Sequence, residues 1–258
     1  MAERPGTIPE RSLGDLLNET FLVYGRHLRR IIGLGAVLHA PVSFAGLILG
    51  NGAAAFFVEG ALRFPASIFV YGAIVFAVGQ QYVTGDIGIE KCYSRVWWRV
   101  VSLAMLTLIL SASVIFGVGL FFLLVPLVLL MVYLVYWSVA IPTVMLEGSS
   151  AIEALRRSFR LVRHQWWRVF GISVVVGLVS LGLALVTSLP FQVISWIAAP
   201  EAATTLSSVV EFLGELAVVL VVPPVGAIAG TLLYYDLRVR KEGFDMPSLS
   251  REMGVVAV

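Results

Sequence analysis

The chain has one cysteine, three histidines and few charges: only 13% of its 258 residues are Asp, Glu, Lys or Arg. A lone cysteine, Cys92, excludes an intrachain disulfide and a cluster of cysteine metal ligands. His27, His39 and His164 are too scattered to form a metal-binding spacing, and HExxH, GxSxG and a Walker-type phosphate loop are all missing. The net charge of +2 is too small to argue for nucleic acid. Scarcity of charge is the most restrictive absence. Soluble domains are roughly 25% charged, so a water-soluble fold of this length lacks the side chains to cover its surface. The short alternating segments of a membrane β-barrel are missing as well.

What the chain has instead is apolar length. It is 59% hydrophobic with a mean hydropathy of +0.94. The excess is gathered into runs of about 20 residues, enough for a helix to cross roughly 30 Å of hydrocarbon. The runs lie at about 31–50, 65–84, 169–189 and 213–235, with one longer run from Val100 to Leu146. Gly117-Val118-Gly119 is the natural place for a tight turn dividing that run in two. Pro223-Pro224, within the last run, predicts a kink. The opening MAERPGTIPERS is polar and has no apolar core, so it reads as a retained tail and not as a cleaved signal peptide.

Charge sets the topology. Short loops rich in Lys and Arg remain cytoplasmic. Lys91, Arg95 and Arg99 precede the long run, and Arg156, Arg157, Arg160 and Arg163 follow it. An even number of crossings therefore lies between them, and the run is a helical hairpin. With six spans and both termini inside, every Lys and Arg except Arg63 falls on the cytoplasmic side.

The sequence also repeats. LRRIIGL, WWRVVSL and WWRVFGI bring Arg30, Arg99 and Arg168 into register at equal steps of 69 residues. An amphipathic segment precedes each. In SSAIEALRRSFRLVRHQWW, apolar Ile152, Leu155, Phe159, Val162 and Trp166 recur every three or four residues, with arginines around the remainder. Ser150 and Glu153 fit a capping box. The expected fold is all-α: a polytopic bundle of six transmembrane helices in three repeats, each an amphipathic interfacial helix followed by a transmembrane hairpin. It forms a single membrane domain over 1–258. A polar tail occupies 1–11, the repeats lie at about 12–84, 85–146 and 147–236, and a cytoplasmic tail covers 237–258.

Candidate functional residues fall into two groups. Arg30, Trp97, Trp98, Arg99, Arg157, Arg160, Trp166, Trp167 and Arg168 are candidates for the lipid interface, where Trp favours the headgroup level and Arg the phosphates. His39, Gln80, Gln81, Glu211 and Glu215 are intramembrane polar candidates, since an unpaired ionisable group in hydrocarbon is costly. Glu211 and Glu215 share a helix face.

Three stretches carry a resemblance. SLGDLLNETFLVYGRHLRRIIGL, VMLEGSSAIEALRRSFRLVRHQWWRVFGI and LLYYDLRVRKEGFD together resemble the glycerophosphoryl diester phosphodiesterase membrane-domain family of bacteria and archaea. Glu147, Ala154, Leu155, Arg157, Ser158, Tyr235, Asp236, Arg238 and the Gly243-Phe244-Asp245 turn hold the motif positions. The resemblance implies a six-span plasma-membrane module. In the phosphodiesterases themselves, hydrolysis belongs to a separate soluble barrel with a His-Arg-Gly motif and metal-binding carboxylates. This chain has no His-Arg-Gly, so no catalytic residue carries over. Glu147 and Asp236 sit where they would pair with arginines of neighbouring surface helices.

The expected function is non-enzymatic, with no cofactor and no metal. The chain reads as a scaffold or accessory subunit that engages anionic lipid, or a membrane-protein partner, through its basic cytoplasmic helices. The alternative is a transporter, channel or lipid-translocating protein with a site in the bundle core, near His39, Gln80 or Glu215.

Overall fold

The computed structural model describes residues 11–49, 53–85, 87–119, 124–198 and 205–243. The described chain is all-helical. Its elements are α1 (Leu13–Arg26), α2 (Leu28–Leu49), α3 (Ala53–Thr84), α4 (Ile89–Trp98), α5 (Val100–Gly119), α6 (Leu124–Tyr136) and a single turn α7 (Ala140–Pro142). A π-helical turn, Thr143–Glu147, follows α7, and then come α8 (Ala151–Val162), α9 (Trp166–Ala198), α10 (Thr205–Val221) and α11 (Pro223–Glu242).

Among the described residues, five segments are long and apolar enough to cross a membrane: Leu28–Ala45, Gly60–Thr84, Val128–Glu147, Trp166–Ile197 and Ser208–Glu242. The pair α4 and α5, bent by 72° at Arg99, makes a sixth if it is counted as one span. α1, α4 and α8 are the short amphipathic helices, and each leads into a long apolar one through a joint at His27, at Arg99 or over Arg163–Gln165.

Local chemistry starts these short helices. In α1 the Asp15 N–H donates to Ser12 Oγ (3.2 Å), and the Ser12 N–H donates back to the Asp15 carboxylate (3.1 Å). In α8 the Glu153 carboxylate accepts from the Ser150 N–H (3.0 Å) and hydroxyl (2.8 Å). Those bonds hold the Glu153 carboxyl below its ordinary pKa.

α3 and α11 form the centre of the bundle. α3 is buried continuously from Gly72 to Gln80, and α11 from Thr231 to Arg238. Lipid tails are as apolar as leucine, so helices in a bilayer associate through close packing of small residues and through polar bonds. Gly230 illustrates the first: it faces the Tyr71 hydroxyl so closely that a Cβ would not fit. The hydroxyl donates to the Gly226 carbonyl (3.3 Å). α2 and α10 flank this pair, α9 packs on α10, and α6 lies between α5, α8 and α9.

Several boundaries differ from the sequence expectation. α3 begins at Ala53, so Pro65 lies inside a helix and not at its start. The turn expected at Gly117-Val118-Gly119 does not form there. α5 stays helical through Gly119, and the connection falls at residues 120–123, outside the described residues. The last span does not kink within one helix. It breaks at Val222 and restarts with Pro223 and Pro224 in the first turn of α11, where a missing N–H costs no bond. That helix then continues to Glu242, past the expected boundary at 236. The polar tail over 1–10, the stretch 244–258 and the Phe244 and Asp245 positions of the expected turn lie outside the described residues. Gly243 closes α11 in a left-handed conformation.

Candidate functional site

The C-terminal half of α11, the ends of α3 and the π turn, and the starts of α1, α8 and α9 meet at one end of the bundle, here called the basic end. Two charged nodes hold them together.

Asp236 is the first node and is fully buried. Its carboxylate accepts from the Arg11 backbone N–H (2.8 Å), from Arg168 Nη2 (2.9 Å) and from Arg240 Nε (3.0 Å). The Arg11 carbonyl in turn accepts from Arg168 (2.5 Å) and Arg240 (3.2 Å). The segment leading into α1 is thus clamped between α9 and α11. The Arg11 side chain extends the node, donating to Glu19 (2.7 Å) and to the Tyr82 hydroxyl (3.1 Å). The Tyr82 hydroxyl also donates to Glu19. Burial disfavours the Arg11 charge, but the Glu19 bond and neighbouring charges outweigh it and hold the guanidinium above its ordinary pKa.

Glu147 anchors the second node. It ends the π turn, and it accepts from Arg157 Nε (3.1 Å to each oxygen) and from the Tyr234 hydroxyl (2.8 Å). Arg157 also grips Glu242 with both terminal nitrogens (2.5 and 2.8 Å). Arg238 closes the ring, donating to Glu242 (3.1 Å) and Tyr234 (3.1 Å). Lys241 caps α8 by donating to the Arg160 (2.7 Å) and Arg163 carbonyls. Carboxylates engaged this fully by guanidinium groups serve to tie helices together.

The interface candidates therefore divide. Arg157 and Arg168 belong to the nodes, and Arg99 donates to the Gly148 carbonyl. Trp166 is half-buried and stacks on Phe170, with ring centroids 5.2 Å apart. Trp97, Trp98 and Trp167 are 73%, 81% and 77% exposed, and Arg30 and Arg160 are exposed too. Gly148 has a left-handed backbone (φ 75°) directly beneath the Arg99 head. Gly148→Ala should lower stability by about 1–2 kcal/mol, because Arg99 can swing aside but the backbone cannot. Chemical unfolding in detergent micelles measures this.

The intramembrane candidates do not assemble into one site. Gln80 works at the α3–α4 connection, where its carbonyl accepts from the Gly88 N–H (3.0 Å). The Gln81 carbonyl oxygen is buried with no partner among the described residues. Glu211 accepts from Ser195 (3.0 Å), whereas Glu215 pairs with Arg63. His39 is buried in α2, and neither ring nitrogen has a partner among the described residues.

Arg11, Glu19, Tyr82, Tyr234 and Glu242 were not singled out from the sequence, and Arg238 was named only as a motif position. The i, i+4 ladder Tyr234–Arg238–Glu242 and the pair Asp236–Arg240 were the available signal. Nothing in the spacing pointed to Arg11, which meets Asp236 across 225 residues. Among the described residues, no group of three or more His, Cys, Asp or Glu side chains could hold a metal.

Two hollows lie near the basic end. One, of about 570 Å³, is an apolar groove between α6 and α9, lined by residues such as Met131, Leu134, Phe170 and Val174. The other, of about 660 Å³, lies between Trp137 and the outer face of α8.

Long apolar helices closed at one end by buried ion-pair nodes define an all-α protein of the membrane-spanning type. Residues 65–237 match a family model described as "Domain of unknown function (DUF7847)", and the chain belongs to this family. No curated protein and no solved structure matches it.

Proposed function

We propose that this protein is a non-catalytic membrane module that engages anionic lipid through the basic end of its bundle, serving as a scaffold or accessory subunit. The observation that carries the reading is the division of the basic end. One set of arginines is consumed by the node carboxylates, buried Asp236 and the partly exposed Glu147 and Glu242. Exposed Trp97, Trp98 and Trp167 stand at two of the joints, and exposed Arg156 and Arg160 lie on the outer face of α8. Half-apolar rings beside cations suit the headgroup layer. In this reading the chain crosses a plasma membrane six times, α4 and α5 supplying the bent span, with both termini in the cytoplasm. The helix pairs α1–α2, α4–α5 and α8–α9 are read as one unit repeated three times, with Arg30, Arg99 and Arg168 at the joints. The resemblance to phosphodiesterase membrane modules supports the same picture of a module without its own hydrolase.

The test is reconstitution into nanodiscs with a rising fraction of phosphatidylglycerol. The thermal midpoint should rise with that fraction, each basic side chain near the headgroups contributing on the order of 1 kcal/mol. The gain should shrink in salt, which screens exposed charges over about 8 Å at physiological strength. A midpoint indifferent to headgroup charge overturns the proposal.

Transport is the second reading, favoured by His39, buried in a span with no partner among the described residues. Against it, neither hollow described above is lined by His39, Gln80 or Glu215.

A further inference from the structure

The outer face of α8 is unusual in what it leaves exposed. The helix packs on the bundle through small or inward residues, Ala151, Ala154, Ser158 and Leu161, all buried. Ser158 fixes this contact by donating to the Tyr136 carbonyl (2.6 Å). Two of its large apolar residues, Ile152 and Phe159, are instead 46% and 40% exposed. They line the second hollow together with Trp137, Leu155, Arg156 and Arg160. Arg156 and Arg160 are one helical turn apart on the same face. Unlike Arg157 between them, neither side chain forms an ion pair among the described residues. Glu153, the one acidic residue of the hollow, already accepts from the Ser150 N–H and hydroxyl.

The apolar groove borders α6 just before Trp137, and the two hollows share no lining residue. Leu130 and Leu134 line the groove, and Trp137 lines the hollow. Their spacing of four and three residues places them along one stripe of a helix. The helical bonding pattern reaches Trp137, whose N–H donates to the Tyr133 carbonyl (2.9 Å). Phe170 borders the groove from α9 and carries the stacked ring of Trp166.

A cationic hollow at the end of the bundle and an apolar groove along the same stripe of one helix together have the polarity of one amphiphile. Each hollow falls in the range of about 300–1,000 Å³ typical of small-molecule sites. We infer that α6, α8 and α9 form a seat for a single anionic phospholipid. Its phosphate lies between Arg156 and Arg160, and one acyl chain lies between α6 and α9. The inference rests on the membrane reading above and deepens it, from a charged collar to a defined site.

Native mass spectrometry of the full chain in mild detergent tests this, with phosphatidylglycerol, phosphatidylcholine or chain-free glycerol phosphate added. The wild type should retain one phosphatidylglycerol in preference to phosphatidylcholine, and glycerol phosphate should not compete. Arg156→Gln with Arg160→Gln should weaken retention about tenfold or more. Ser173→Trp, which fills the groove from α9, should weaken it similarly without touching a charge. Arg26→Gln with Arg29→Gln removes as much charge elsewhere and should leave the bound lipid in place. Thermal midpoints in the same detergent establish that the variants are folded. Retention unchanged in the Arg156/Arg160 variant, or effective competition by glycerol phosphate, overturns the seat. If the wild type holds no individual lipid yet gains stability in anionic nanodiscs, the seat is wrong and the collar stands. If neither is seen, both readings fall.

Discussion

Asp236→Ala is expected to destabilise the protein by about 3–5 kcal/mol, the cost of removing one partner from a buried ion pair. The residue is fully buried and neutralises two arginines, Arg168 from α9 and Arg240 from its own helix. Alanine leaves both guanidinium groups close together without a counter-charge. It also strips the acceptor from the Arg11 backbone N–H, so α1 should loosen from the bundle before the spanning helices separate. Asp236→Asn keeps an acceptor for that N–H but not the charge, and should fall between alanine and wild type. The check is denaturant unfolding of all three proteins in one detergent, with limited proteolysis after Arg26 or Arg29 reporting on α1. An alanine variant within 1 kcal/mol of wild type would mean that the node is superficial and its burial unimportant.

The second large effect belongs to the bundle centre. Gly230→Ala places a methyl group against the Tyr71 hydroxyl, which reaches from α3 onto α11. Overpacking of this kind costs about 1–3 kcal/mol, and here the displaced hydroxyl also loses its bond to the Gly226 carbonyl. Tyr71→Phe alone should cost only about 0.5–1.5 kcal/mol. Combined, the two changes should cost less than their sum, because phenylalanine vacates the space that alanine needs. A double-mutant cycle in detergent should show a favourable coupling of about 1 kcal/mol or more. Strict additivity would show that the glycine serves something other than the close approach to Tyr71.

These two sites mark what the sequence could and could not convey. Apolar runs announced the spanning helices, because a bilayer requires about 20 apolar residues per crossing whatever the neighbours are. The bond between Ser150 and Glu153 was legible because it is local. The Asp236 node was not legible as a whole: its partners Arg11 and Arg168 are 225 and 68 residues away, and a single sequence carries no trace of that pairing.

The α8 arginines show a different limit. Helical periodicity separated apolar from basic residues correctly but could not say which apolar residues face protein. The sequence reading set Ile152, Leu155, Phe159, Val162 and Trp166 on one apolar face of an interfacial helix. In the structure the small ones, Ala151, Ala154 and Ser158, face the bundle. That is the rule for membrane helices, where small residues permit contact and large ones meet lipid. The resulting rotation turns Arg157 inward to Glu147 and leaves Arg156 and Arg160 outside. Pro223 was misplaced for a related reason. A proline pair reads equally well as a kink or as the first turn of a new helix until the break at Val222 is seen.

The central claim is that the arginines of the basic end do two separate jobs, holding helices together and meeting anionic lipid. Its most direct test is the thermal midpoint of wild type, Arg168→Gln, and Arg156→Gln with Arg160→Gln, each in zwitterionic and in anionic nanodiscs. Arg168→Gln should lower the midpoint equally in both, because its partner is buried Asp236. The Arg156 and Arg160 change should lower it only where anionic lipid is present. An Arg168 effect that disappears in zwitterionic lipid, or an Arg156/Arg160 effect that is the same in both, would contradict the account.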